Sequence, residues 1–88
     1  MKIPTDIMAV GIDPAKQVHQ AVAIAYPEVI LLNCWFENSY EAISSLDEKA
    51  MKIAKKNDLK VIYGLEDSGV YGRTIKEILT SRYREIRE

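Results

Sequence analysis

Two short apolar runs that end in the same way constrain the fold of this chain more than any other feature. Residues 8–13 (MAVGID) and 61–66 (VIYGLE) each close on an acid that follows a glycine by two positions. Both runs have the length and composition of buried strands. Because side chains alternate along a strand, each glycine lies on the same face as its acid, which leaves open space beside Asp13 and Glu66. A metal ion or a phosphate group could fit in that space.

Two more strands are predicted between these runs. The pair Asp13-Pro14 ends the first run, because proline cannot donate to a strand ladder and the pair favours a turn. Residues 18–26 alternate, so one face carries Val18, Val22 and Ile24 and the other carries His19, Ala21, Ala23 and Ala25. Residues 29–36 are rich in β-branched and aromatic side chains, and the short Pro27-Glu28 connection before them predicts an antiparallel hairpin.

The next segment predicts a helix and the pairing of the last strand. Asn38 or Ser39 can cap this helix, and Asn57-Asp58 ends it. Its apolar positions follow helical spacing at Tyr40, Ile43, Leu46, Ala50, Ile53 and Ala54. A crossover that contains a helix is what parallel strand pairing requires, so residues 59–66 are predicted beside residues 7–13.

A second helix is predicted after Glu66. Ser68 is its expected cap, which would bring Glu66 close to a helix N-terminus, and its inner stripe comprises Tyr71, Ile75, Ile78 and Leu79. Residues 83–88 either begin a fifth strand or end as a charged helix terminus. The predicted fold class is therefore α/β, with the order β-β-β-α-β-α and a mixed sheet of order 3-2-1-4 that is incomplete at the C-terminus.

Composition limits the classes of function. The chain has 88 residues, of which 48% are hydrophobic and 28% charged, as expected for one small soluble domain. No apolar run approaches the ~20 residues of a membrane span, and no signal-peptide layout precedes Asp6, so a cytoplasmic protein without membrane partners is expected. A net charge of −1 argues against strong nucleic-acid binding by the whole chain. The single Cys34 has neither a disulfide partner nor zinc-site spacing.

Two motifs give the chain a family resemblance. Gly11-Ile12-Asp13-x-x-Lys16 and Glu66-x-Ser68-Gly69-x-Tyr71, together with the order of elements, resemble the N-terminal RuvC-like domain of the DEDD transposases of insertion sequences. These enzymes belong to the ribonuclease H-like superfamily. The resemblance implies that residues 1–88 form a single partial domain of this kind.

The resemblance also implies a site. In that family four acids bind divalent metal for DNA strand cleavage and transfer, and Asp13 and Glu66 correspond to the first and second acids. Mg²⁺ or Mn²⁺ is the expected cofactor, bound weakly because the third and fourth acids lie further along the family's sequence. The chain is therefore expected to be inactive by itself. DNA is the implied partner of the full-length protein, a guide RNA is left open, and Lys16, Ser68 and Tyr71 are candidates for nucleic-acid contact.

Simpler interpretations exist for each of these residues. Acids often end strands where a turn begins, and Asp67 reads as a turn or capping residue. A lone turn lysine such as Lys16 is usually solvated. His19 has no metal-spaced partner and reads as structural, and the spacing of Tyr71 to Ile75 favours core packing. The basic residues interspersed with glutamate read as solvated faces, namely the helix-one lysines and Arg73, Lys76, Arg82, Arg84 and Arg87.

Two other functions remain open at this level. Actin-like kinases and ATPases share the three-strand start with an acid at its end, but they continue with a glycine-rich phosphate loop where this chain has Pro14-Ala15-Lys16-Gln17. A non-catalytic association module is the other alternative. The free edge of strand three or strand four would then pair with a second chain, which predicts a homo-oligomer.

Overall fold

The structure is a computed structural model that describes residues 4–66 and 69–88. Its elements follow in the order β1 (Ile7–Asp13), β2 (Val18–Ala25), β3 (Val29–Glu37), α1 (Tyr40–Lys56), β4 (Lys60–Leu65), α2 (Arg73–Ser81) and β5 (Ile86–Arg87). A short 3₁₀ turn, Gly69–Gly72, precedes α2. The protein is therefore α/β, as the sequence predicts.

The sheet has the order β3-β2-β1-β4-β5. β2 is antiparallel to β1 and β3, which confirms the predicted hairpin, whereas β4 is parallel to β1. The crossover through α1 therefore brings the two glycine-acid runs side by side, as predicted. The short β5 pairs in parallel with β4 and extends the predicted order 3-2-1-4 by one strand.

The core lies on one face of the sheet. Strict alternation along β1 buries Met8, Val10 and Ile12, and the matching residues of β4 are Val61, Tyr63 and Leu65. These side chains form one cluster with the inner residues of α1 and α2, so both helices cover this face. No described element covers the other face, which is called the open face below.

Helix α1 begins and ends where the sequence predicts. The Ser39 hydroxyl accepts a hydrogen bond from the Ala42 N–H at 3.1 Å, and Asn57 is the C-cap. Asp58 then adopts a left-handed conformation with φ 55°, which stops the helix. Of the apolar positions with helical spacing, Tyr40 does not join the core: its exposed fraction is 63%, because the first turn starts beyond the end of β3.

The start of α2 differs from the prediction. The helix begins at Arg73 with Gly72 as its N-cap, and the preceding 3₁₀ turn takes Tyr71 off the helical stripe. Tyr71 is therefore 40% exposed, and its predicted core packing is wrong. Ile75 and the other predicted inner residues are buried. The predicted cap, Ser68, lies outside the described residues.

A buried charge cluster attaches β5 to the rest of the fold. Asp47 of α1 is fully buried, and its carboxylate accepts hydrogen bonds from Tyr63 at 2.6 Å, Arg82 at 2.7 Å and Arg84 at 2.9 Å. The prediction that both arginines are solvated is therefore wrong. Their side chains are only about a quarter exposed, because both contact the buried carboxylate of Asp47 on α1 and neutralise its charge.

Candidate functional site

The two acids predicted to form a site lie next to each other. β1 and β4 pair through Ile12 and Leu65, and the Glu66 N–H donates a hydrogen bond to the Ile12 carbonyl at 3.3 Å. Asp13 and Glu66 therefore stand at the same level on adjacent parallel strands. Because Ile12 and Leu65 are buried under the helices, alternation directs both carboxylates to the open face, where both residues are exposed.

Open space lies beside the acids, as the glycines predict. Gly11 and Gly64 face each other across the β1–β4 pair. A Cβ added at Gly64 would meet no atom within 4 Å, and one added at Gly11 would meet only the Val22 carbonyl oxygen at 3.9 Å. The resulting shallow cavity of about 310 Å³, called the acid cavity below, is lined by Gly11, Ile12, Asp13, Gln20, Val22, Gly64 and Glu66.

Gln20 is a member of this cavity that sequence reasoning missed. It lies directly opposite Asp13 in the antiparallel β1–β2 pair. Its Nε2 donates to Asn33 Oδ1 at 3.2 Å, so its carboxamide nitrogen is turned toward β3. The signal was present in the sequence, because the short Asp13–Val18 turn fixes the register of the hairpin and hence the residue opposite Asp13.

His19 stabilises the turn that follows Asp13. The Ala15 N–H donates to His19 Nδ1 at 2.9 Å, so in this tautomer the ring proton lies on Nε2. The ring is fully buried and packs against Phe36 at a centroid distance of 5.2 Å. It lies on the helix-covered face, opposite to the acids. This placement agrees with the structural interpretation of His19 and removes it from the candidate ligands.

The remaining candidate residues are not gathered around the acids. Lys16 is exposed in the turn after Asp13 and lines a neighbouring cavity with Gln17, Val18, Glu37 and Asn38. Tyr71 is exposed on the 3₁₀ turn and does not line the acid cavity. Ser68 and Asp67 fall outside the described residues. Cys34 is half-buried and packs against the core.

The donor set of the cavity suits a hard cation only in part. Asp13, Glu66 and the carboxamide of Gln20 offer oxygen atoms, which magnesium and manganese prefer. Across residues 4–66 and 69–88, no three histidine, cysteine, aspartate or glutamate side chains come together as a metal-binding group. The two carboxylates and the open space beside them fit a metal ion, but the two side chains provide only part of its coordination shell.

A second group that the sequence did not predict is the Asp47 cluster, defined as Asp47, Tyr63, Arg82 and Arg84. Burial by itself raises the pKa of Asp47, but hydrogen bonds from Arg84, Tyr63 and Arg82 outweigh it and hold the pKa below its ordinary value. A signal existed, because Asp47 follows Ile43 by four residues and so falls on the apolar stripe of α1. The cluster lies inside the helix-covered layer and is structural.

Comparisons with known proteins do not assign the chain to a family. No protein-family model matches the chain, and no curated protein is significantly similar to it in sequence. Neither helix in the described part of the chain has the length and apolar character needed to cross a membrane. The motifs and the geometry of the sheet are therefore the basis for a function.

Proposed function

We propose that this chain is the first part of a ribonuclease H-like catalytic domain of the DEDD transposase class, and that Asp13 and Glu66 contribute two acidic ligands to its divalent-metal site. The observation that carries the proposal is the adjacency of these carboxylates at the ends of two parallel strands, beside the open space over Gly64. Ligands of open α/β sheets commonly bind at such strand ends. The β-β-β-α-β order and the 3-2-1-4 strand arrangement also agree with that superfamily.

Each residue of the acid cavity has a role in this proposal. Asp13 and Glu66 hold the ion, and Gln20 adds a neutral oxygen donor from the neighbouring strand. When bound, Mg²⁺ or Mn²⁺ supplies charge stabilisation for phosphodiester displacement. Two carboxylates alone form an incomplete shell, so the affinity is weak and the chain is inactive by itself.

DNA is the proposed partner of the complete catalytic domain. Lys16 is exposed three residues after Asp13, where it can contact a phosphate, and the exposed ring of Tyr71 is available for stacking. The modest overall charge of −1 is consistent with contacts that are local to this edge of the sheet.

Two alternatives from the sequence receive less support. An actin-like nucleotide site needs a phosphate loop of exposed backbone after the first acid, but Pro14 is buried there and Ala15 N–H is already bonded to His19. Association through a free edge of strand four receives less support, because β5 pairs with that edge. β3 remains an outer strand of the described sheet.

A test compares Asp13→Asn with the wild type by urea unfolding. Without divalent ions, Asp13→Asn is expected to raise the unfolding free energy by about 0.5 kcal/mol, because it relieves repulsion between adjacent carboxylates. If the dissociation constant is in the millimolar range, 10 mM Mg²⁺ stabilises the wild type by about 1 kcal/mol and leaves Asp13→Asn unchanged.

Glu77→Gln is the matched control, because Glu77 is an exposed acid on α2, away from the cavity. It should gain as much stability from Mg²⁺ as the wild type. Equal stabilisation of Asp13→Asn and the wild type would place the ion elsewhere and contradict the proposal. Stabilisation by ATP with Mg²⁺, but not by Mg²⁺ alone, would favour the actin-like alternative.

A further inference from the structure

Four side chains on the open face form one row across the sheet at its acid end. Asp13 lies beside Glu66 on β4 and opposite Gln20 on β2. Gln20 in turn lies opposite Trp35 on β3. Because the next residue, Phe36, is buried on the helix-covered face, alternation directs Trp35 to the open face. The row therefore runs from the two acids, through a carboxamide, to an indole ring.

The indole ring of Trp35 is largely in contact with water. Its exposed fraction is 67%, although tryptophan gains much from burial. Its neighbours on this face are three polar residues and two valines, namely Gln20, Asn33, Glu37, Val18 and Val22. An exposed aromatic face with polar side chains beside it suits a flat ligand that has polar edges, and a nucleobase is a ligand of this kind.

Two amide side chains lie beside the ring. Gln20 Nε2 donates to Asn33 Oδ1 at 3.2 Å, which orients both carboxamides. This bond uses neither the carbonyl oxygen of Gln20, which is proposed to contact the metal ion, nor the NH₂ group of Asn33. The Asn33 NH₂ group is a donor of the kind that pairs with the nitrogen and oxygen acceptors on base edges. The surroundings of Trp35 therefore match both the face and the edge of a base.

The spacing within the row suits a nucleotide. Trp35 lies two strands away from Asp13, which corresponds to about 10 Å. An ion between Asp13 and Glu66 contacts a phosphate oxygen, and the attached nucleotide can extend across Gln20 to the indole face. Proteins that bind single strands combine the same two contacts, because bases stack on aromatic side chains while the backbone follows charged groups.

We propose that Trp35 stacks against an unpaired base of the DNA strand whose phosphate binds the metal ion at Asp13 and Glu66. This inference rests on the proposed function, because the ion brings the strand to the row. The base must be unpaired, since the faces of a base inside a duplex are covered by its neighbours. The proposed substrate is therefore DNA that is single-stranded next to the phosphate at the ion.

Charge makes this contact dependent on the ion. Asp13, Glu66 and Glu37 place three carboxylates at this end of the open face. Lys16 is exposed nearby and lines one cavity together with Glu37. Without a divalent ion the acids repel a phosphodiester, whereas a bound ion adds two positive charges beside Asp13 and Glu66. Stacking on Trp35 is therefore expected only when the metal ion is present.

Trp35 is the only tryptophan of the chain, so its emission reports on this contact alone. An oligothymidylate of about eight nucleotides is titrated into the wild type in Mg²⁺, with excitation where nucleobases do not absorb. We expect saturable quenching that disappears in EDTA and is not produced by an abasic oligonucleotide of the same length. Quenching that persists unchanged in EDTA, or that the abasic oligonucleotide reproduces, would overturn the proposal.

Variants provide a second readout, the anisotropy of a fluorescein-labelled oligothymidylate in Mg²⁺. Trp35→Ala should weaken binding at least about fivefold, because the stacking of one base is lost. Trp35→Phe keeps an aromatic face and should bind within about threefold of the wild type. The control Tyr83→Ala removes a ring that is 95% exposed and lies before β5, away from the row, and it should have no effect. Equal binding by Trp35→Ala and the wild type would contradict the stacking.

Urea unfolding in Mg²⁺ separates a failure of this contact from a failure of the metal site. If Mg²⁺ stabilises the wild type but not Asp13→Asn, and the oligothymidylate does not quench Trp35, the stacking is overturned and the metal site stands. If Mg²⁺ does not stabilise the wild type, both are overturned. A change of Trp35 emission on dilution without an oligonucleotide would show that a second copy of the chain covers the ring, and would also overturn the stacking.

Discussion

The contact between Tyr63 and Asp47 is a buried hydrogen bond between two residues that are both fully inaccessible. Burial of the phenol, and then its bond to the Asp47 carboxylate, raise the pKa of Tyr63 well above its ordinary value. The hydroxyl therefore stays protonated at neutral pH and donates to Asp47. Its hydrogen bond compensates Oδ1 of Asp47 for the loss of contact with water.

Replacement of this donor should weaken the fold without changing its shape. Tyr63→Phe is expected to lower the unfolding free energy by about 2 kcal/mol, because a hydrogen bond to a buried charged group is lost. Urea unfolding measures the change. Tyr40→Phe, at a residue that is 63% exposed, is the control and should leave stability unchanged. A loss for Tyr63→Phe no larger than that of the control would contradict the role given to the hydroxyl.

Tyr83 adopts a left-handed backbone conformation, which is unfavourable for residues other than glycine. Its φ is 61° and its exposed fraction is 95%, so the side chain gains little from packing while the backbone turns from α2 into β5. Tyr83→Gly should stabilise the protein by about 1 kcal/mol, because glycine adopts the left-handed region without strain. Tyr83→Ala keeps the Cβ and should have little effect. A glycine variant no more stable than the alanine variant would show that this position is not strained.

At the scale of elements, β5 depends on charge more than on apolar burial. The strand has two residues, and Ile86 is only half-buried. The adjoining Arg82 and Arg84 are fixed to Asp47, and the Tyr63 N–H donates to the Glu85 carbonyl at 2.9 Å. The Asp47 cluster is therefore what keeps this edge strand on the sheet.

Asp47→Asn should release β5 before it unfolds the core. The variant removes the buried carboxylate from both arginines, although Arg82 keeps its ion pair with the exposed Glu48 at 3.8 Å. A loss of about 3 kcal/mol is expected for a broken buried ion pair. Hydrogen exchange should become much faster at the Tyr63 amide, whereas amides between β1 and β2 keep most of their relative protection. Uniform acceleration over all strands would contradict a specific role in holding β5.

The same cluster predicts a dependence of stability on pH. Hydrogen bonds hold the pKa of Asp47 below its ordinary value of 3.8, so the folded state favours the charged form. The advantage of the wild type over Asp47→Asn is therefore complete at neutral pH and is lost as the pH falls below 3.8 toward the folded-state pKa. Unfolding of both proteins between pH 7 and pH 3 measures it, and a constant difference over that range would contradict the assignment.

Local pattern was sufficient to predict most elements. Alternation identified β1 to β4, and helical spacing with the Ser39 cap identified α1. The start of α2 was missed because the 3₁₀ turn at Gly69–Gly72 leaves the apolar spacing of Tyr71 to Ile75 intact while changing the direction of Tyr71. The burial of Arg82 and Arg84 depends on Asp47, 35 and 37 residues away, and such long-range pairing leaves no local signal.

At the scale of the whole molecule, the sheet explains why the acid cavity was partly predictable. The rule that a helical crossover joins parallel strands predicted that Asp13 lies beside Glu66. Gly11 and Gly64 predicted the open space beside these two acids. To predict that Gln20 lines the cavity, one also needs the register of the β1–β2 hairpin, which sets Gln20 opposite Asp13. Alternation placed Val22 and Ile24 together on one face of β2, but the sequence did not show that both helices cover the opposite face and leave these residues half-buried on the open one.

The metal half-site is best tested by a manganese titration of isotope-labelled protein, followed by amide NMR. The paramagnetic ion broadens only nearby signals, so we expect broadening centred on Asp13, Gln20 and Glu66 in the wild type. It should disappear in Asp13→Asn and persist in Glu77→Gln. Broadening scattered over surface acids, or unchanged by Asp13→Asn, would contradict the claim that these two carboxylates form a metal half-site.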